Sequence, residues 1–176
     1  FLSASLKSDG TLKHRSGFLK NLGYNFQYLD YLDHLLTETK LHSTVHALTQ
    51  KTFIVTGMGI VEALLWYVLR ANKQQAMLEW RELPPVRTNE FEEGSSRRRM
   101  RIIIEEKLAT PEDAEMNLDS MRKKVEDRKL LGVNRQVYRD LNHLRMLRNR
   151  VHLHVLQGDK DTDWWKFNAS DVELMK

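Results

Sequence analysis

The chain of 176 residues has no cysteine. That excludes disulfide staples, thiolate zinc sites and a cysteine nucleophile. It also fits a reducing compartment. Proline is scarce, with three in the whole chain, and this speaks against a long disordered tract. Charge of one sign is nearly absent as an excess: 28 basic side chains face 24 acidic ones, a formal balance of +4. Any binding of a polyanion must therefore come from local clusters rather than from a general positive field. No basic segment followed by an apolar one reads as a secretory leader. No internal repeat and no low-complexity tract is found. The chain begins at Phe1 rather than Met, as a piece of a longer protein does.

What is present is apolar content in a helical rhythm. Hydrophobic residues make up 41% of the chain and charged ones 30%. A compact fold of this length hides roughly 70% of its unfolded surface and needs no staples. The composition reads as a soluble, intracellular, single-domain protein.

Residues 1–16 show no periodicity and read as a flexible arm, leaving 17–176 as one domain. From Asn21 to Lys40, Leu22, Phe26, Leu29, Leu32 and Leu36 mark one apolar helix face. Ser43 is a plausible N-cap for a second helix running to about Asn72. Its stretch Thr52–Leu69 carries Glu62 as its only charge. By length this is a marginal membrane span, but a carboxylate in mid-span is expensive in lipid. A buried central helix is the better reading, with Gly57 and Gly59 marking a close approach of another helix.

The middle, about 81–109, departs from this rhythm. Pro84 and Pro85 end the preceding element, and 92–96 look like a turn. A hairpin of Val86–Phe91 against Arg98–Glu106 is expected there, with a long loop as the alternative. Thr110, Pro111 and Asp113 then suggest a helix start, with Leu118, Met121 and Val125 on its apolar face and Gly132 as its stop. Asn134 caps a fourth helix through Val137, Leu141, Leu144, Val151 and Val155. The tail holds Trp164, Trp165 and Phe167, then a short helix capped by Ser170. The fold class expected is mainly all-α: an up-and-down bundle of four to five helices with a β-hairpin or long loop inserted in the middle.

The fourth helix carries the chemistry. At about 100° per residue from Arg145, Asn149 lies near +40°, His152 near −20° and Arg148 near −60°. These four polar residues form a strip bordering the apolar face, with His154 pointing away. Arginine is always charged and has a fork suited to phosphate. Histidine takes or gives a proton near neutrality. Together they can bind a phosphodiester, stabilise its developing charge and move the proton of an attacking hydroxyl. The competing reading pairs Arg145 and Arg148 with helix acids such as Glu62 and leaves His152 as a packing residue.

The segment Leu147–His154, LRNRVHLH, resembles the signature helix of the HEPN superfamily, in which an Arg, often followed by Asn, precedes a His by four to six intervening positions. The apolar run Gly59–Leu69 with its acid is similar to the buried early helix of many members. The resemblance covers roughly Leu22 to Val155. Arg145–His152 and Arg148–His154 both have a permitted spacing. Helical geometry favours the first and the Arg-Asn dipeptide the second. The resemblance implies a metal-independent endoribonuclease without cofactors. It implies a cytoplasmic homodimer in which two motifs face each other, acting as a toxin or antiviral defence effector under an antitoxin or other regulatory protein. Some HEPN proteins are inactive binding modules for a protein or RNA, which is the alternative.

Secondary signals are weaker. Arg97, Arg98, Arg99 and Arg101 form the densest basic cluster, either a grip on an RNA backbone or a charged edge that blunts strand pairing. Trp164 and Trp165 either stack a base or cap the bundle. Asp159, Asp161 and Asp163 alternate as in a calcium loop but lack its later Gly and closing Glu. His42 and His46 sit four apart without a third ligand, so no metal is expected.

Overall fold

A computed structural model describes residues 14–84, 87–94, 96–151, 162 and 166–176. The described chain is mainly α-helical, with five α-helices and two two-stranded antiparallel sheets. It divides into a helical unit, 1–74 with 117–176, and a β unit, 75–116.

The helical unit contains α1 (Arg15–Glu38), α2 (Ser43–Ala71), α3 (Leu118–Asp127), α4 (Arg135–Arg148) and α5 (Ala169–Met175). Its centre is α2, which packs against each of the other four. The reason lies in its sequence: apolar residues surround it, and a helix without a polar side has to be enclosed. Ten of its 29 residues are buried, among them Ile54, Met58, Leu65 and Leu69. By length and composition alone α2 also qualifies to cross a membrane. Around it the core is completed by Leu22 and Leu32 of α1, Leu118, Met121 and Val125 of α3, and Leu144 and Leu147 of α4. Each large side chain enclosed this way contributes roughly 1.5–3 kcal/mol.

Several boundaries differ from the sequence expectation. Helix α1 starts at Arg15, so residues 15 and 16 belong to it rather than to the arm, while 1–13 lie outside the described residues. Phe26 is exposed. His42, not Ser43, occupies the N-cap position of α2. At α5 the cap is Asn168: its side chain accepts from the Ser170 and Asp171 amides, and Asp171 returns a bond to the Asn168 amide. This reciprocal box satisfies donors that a helix start otherwise leaves open. Ser170 is inside the helix.

The two glycines of α2 behave differently. A Cβ on Gly57 would lie 2.7 Å from Met175 Sδ, so α5 does approach closely there. Gly59 is exposed with nothing within 4 Å, so the close approach expected of it is not found. Gly59→Ala is therefore expected to stabilise the fold by up to about 1 kcal/mol, the helical preference for Ala. Urea unfolding reads this directly, and an unchanged or lower midpoint would contradict it.

In the β unit, β1 (Met77–Glu82) pairs with β4 (Glu105–Asp113), and β2 (Arg87–Glu93) with β3 (Ser96–Ile102). The expected hairpin is present, with Phe91 opposite Arg98, but its second strand stops at Ile102, and Glu105 and Glu106 belong to β4 and pair with β1. Its turn contains Gly94 at φ 63°, a left-handed conformation that suits glycine. The Leu83 amide donates to Ile104 O at 2.8 Å, carrying the pairing from one hairpin toward the other.

The helix expected from Thr110, Pro111 and Asp113 is instead the end of β4. Proline is tolerated because a two-stranded ladder consists only of edge strands. In addition, Leu78 pairs with Glu112 and Trp80 with Lys107, so Pro111 falls in a stretch with no regular partner. Helix α3 begins later, where the Asn117 side chain accepts from the Ser120 amide at 2.9 Å. It ends at Asp127, and the chain then turns through Gly132 at φ 63°.

Candidate functional site

The candidate site is built on the last two turns of α4. Asn134 starts this helix by accepting the Gln136 amide at 2.9 Å. Tyr138, Leu144 and Leu147 are buried and seat it on its neighbours. Val137, expected on the apolar face, is exposed, and so is Val151. Taking Arg145 as zero, the buried residues span about −160° (Leu147) to about +20° (Tyr138). Arg145 and Arg148 fall inside that span, yet both are only half-buried, as side chains bordering a buried face are.

Both guanidiniums are met there by acids from other helices. Arg145 Nε lies 3.4 Å from Asp119 Oδ1 on α3, and its Nε and Nη2 donate to Asn142 Oδ1 at 3.3 and 3.0 Å. Arg148 Nη2 donates to Glu62 Oε2 on α2 at 2.9 Å. The single charge in the apolar run of α2 therefore has its partner. Their side chains keep 22% and 34% exposure, so solvent reaches both. A guanidinium has five N–H donors, and these contacts leave some unspent on each. Among the described residues the Arg145 Nη1 group takes no partner. Both cations also lie in the final turn of α4, where the helix dipole favours positive charge.

Asp119 gathers three cations: Lys123 Nζ at 2.7 Å, Arg122 Nη2 at 3.1 Å and Arg145. The Lys123 bond, opposed by partial burial and aided by Arg122 and Arg145, holds its carboxyl below the ordinary value of 3.8. A carboxyl depressed in the folded state lends stability above its unfolded value and loses it as pH falls through the folded one. Urea melts below pH 4 are expected to show this acid-side loss, reduced in Asp119→Asn. An identical acid slope in both proteins would contradict the assignment.

The α-helix stops at Arg148. Asn149 is its exposed C-cap, with its amide donating to Arg145 O and Leu147 O, and Asn149–Val151 form a single 3-10 turn. The continuous fourth helix through Val155 is therefore corrected, and the angular position of His152 drawn from it does not hold. A 3-10 turn advances each residue by about 120°. His152 and His154 lie outside the described residues, as do Trp164, Trp165, Asp159, Asp161 and Asp163. Lys51 of α2 donates to Arg150 O at 3.2 Å and lies over the Phe167 ring.

The basic cluster falls on β3. Residue alternation puts Arg97, Arg99 and Arg101 on one face of the ribbon and Arg98 on the other. Arg97 and Arg99 pair with Glu90 at 2.8 and 2.5 Å, and Arg101 with Glu82 at 2.6 Å. All are exposed, where such pairs contribute about 0–1 kcal/mol each. These residues belong to the β unit, and the α4 site belongs to the helical unit.

One pair escaped sequence reasoning. His143 Nε2 stands 2.7 Å from Asp171 Oδ1. The acceptor is a carboxylate, which assigns the proton to Nε2. Asp171 is buried and His143 exposed. Twenty-eight residues separate them, and no local spacing signals such a contact. It ties α4 to the capping box of α5. Asn142 and Asp119 also went unread; the only signals were an amide three residues before Arg145 and an acid in a first turn.

Comparison with protein-family models, with curated proteins and with solved structures finds no match for this chain.

Proposed function

We propose that this chain is a metal-independent endoribonuclease of HEPN type. Its helices are then arranged as an up-and-down bundle, with the motif arginines Arg145 and Arg148 on the late helix α4 and the histidines after it in the sequence. The observation that carries this reading is the pair Arg145 and Arg148. Two guanidiniums one turn apart are each tethered by an acid from a different helix, keep donors to spare, and directly precede the segment bearing His152 and His154. Tethering fixes the direction of a guanidinium before substrate arrives, which is how preorganised charge lowers a barrier.

In this scheme Arg145 and Arg148 hold the scissile phosphate and Asn149 orients it. His152 assists the ribose 2′-hydroxyl or the leaving oxygen. His154 is the alternative partner, for Arg148. Two copies place their α4 strips across a two-fold axis, so one phosphate meets the charge of both. No metal or cofactor enters the scheme. The partner is RNA, with an antitoxin or other protein as regulator. The setting is a prokaryotic toxin or defence effector in the cytoplasm, without a membrane role. The β3 arginines add a contact to the RNA backbone by exchanging Glu90 and Glu82 for phosphates, which makes binding salt-dependent.

A second reading has its own observation. Arg145 and Arg148 are both already matched by carboxylates, as in a structural ion-pair set. On that reading the chain is a non-catalytic helical module that binds a protein or RNA. Incubation with total RNA in EDTA separates the two. Cleavage by the parent and none by Arg145→Ala/His152→Ala supports the nuclease. No cleavage by either supports the module.

A further inference from the structure

The contacts of Arg145 come from two directions. Asn142, one turn back on α4, accepts from Nε and Nη2. Asp119, from the first turn of α3, approaches the same Nε with Oδ1. Asp119 is itself fixed: Arg122 donates to its Oδ1, and Lys123 lies 2.7 Å from its Oδ2. Arg122 in turn bonds Glu126 Oε2 at 3.0 Å, with its side chain only 11% exposed. The Nε edge of Arg145 is therefore held by a braced cluster. Only its Nη1 group is left without a partner among the described residues. Arg148 differs, since a single bond to Glu62 holds it.

We propose that Asp119 and Asn142 are positioning residues for the cleavage reaction, acting through Arg145 by fixing its guanidinium so that Nη1 faces the phosphate. The assignment rests on the nuclease reading above. Arg145 is then the preorganised arginine and Arg148 the adaptable one. Neither Asp119 nor Asn142 touches the RNA, so their effect exists only while Arg145 is present. They direct a charge that acts in the transition state, so their loss lowers kcat more than it raises KM.

A double-mutant cycle on RNA cleavage tests this. Asp119→Ala and Asn142→Ala are each measured alone and combined with Arg145→Ala, with folding checked by urea unfolding. Each single variant is expected to lower kcat by about 10-fold with KM changed less than about 2-fold. In the Arg145→Ala background each is expected to add no further loss. Asp119→Asn keeps an acceptor oxygen and is expected to retain more rate than Asp119→Ala. If Asp119→Ala does not fold, Asn142→Ala and Asp119→Asn carry the test, because Asn142 contacts Arg145 within one helix. Losses that simply multiply with that of Arg145→Ala, or single variants as fast as the parent, would overturn the proposal and leave the nuclease reading standing. A parent that cleaves no RNA overturns both.

Discussion

Arg145→Ala is expected to cut RNA at least about 100-fold more slowly than the parent while unfolding within about 1 kcal/mol of it. Removing one preorganised donor from a site that stabilises developing charge commonly costs 10²–10³ in rate. The loss in stability is small because the pair it breaks is partly exposed, and such pairs are weak. What remains after truncation is Asp119 with Arg122 and Lys123, so no carboxylate is left without a cation. Single-turnover cleavage and a urea melt on one preparation read both quantities. A rate equal to the parent's would show that Arg145 is only a structural cation. A collapse in stability would place its role in the core.

Ile54→Ala is expected to destabilise the helical unit by about 2–5 kcal/mol, the usual cost of emptying a fully enclosed aliphatic site. Ile54 has no exposed surface and sits on α2, the helix every other one touches. Typical total stability is only about 5–15 kcal/mol, so this variant is close to failing altogether. Phe91→Ala supplies the contrast. Phe91 is 46% exposed on β2 of the other unit, and its removal is expected to shift the helical melt by less than about 0.5 kcal/mol. Equal shifts for the two would contradict the division of the chain into these units.

Much of the helical core was legible from spacing. Leu22, Leu32, Leu118, Met121, Val125 and Leu144 lie where a 3.6-residue rhythm puts them. Asn134 as a cap and Glu62 as a partner for an α4 arginine were readable too. The failures have physical causes. Thr110 and Pro111 satisfy the local rules for a helix start, yet the residues flanking them, Lys107 and Glu112, pair with β1 some 30 residues away and hold the stretch between them extended. Such non-local competition leaves no mark in a short window. Helix α4 looked continuous because Val151 and Val155 extend the apolar period, whereas the chain tightens into a 3-10 turn after Arg148. The inward residue in the first turns of α4 was misread, since Tyr138 and not Val137 is buried, and with Leu147 it widens the enclosed face. Asp119 and His143 find their partners across helices, where sequence distance carries no information.

The claim that Arg145, Arg148 and a following histidine cleave RNA through its own 2′-hydroxyl is tested most directly with one substrate pair. An RNA oligonucleotide and the same oligonucleotide with 2′-deoxy sugars are incubated with the protein in EDTA, and product ends are analysed. Attack of the 2′-oxygen on the adjacent phosphorus expels the 5′-oxygen, so the RNA is expected to yield cyclic 2′,3′-phosphate and 5′-hydroxyl ends. The deoxy substrate is expected to stay whole, and Arg145→Ala/His152→Ala to be silent on both. Intact RNA, or equal cleavage by that double variant, would contradict the account.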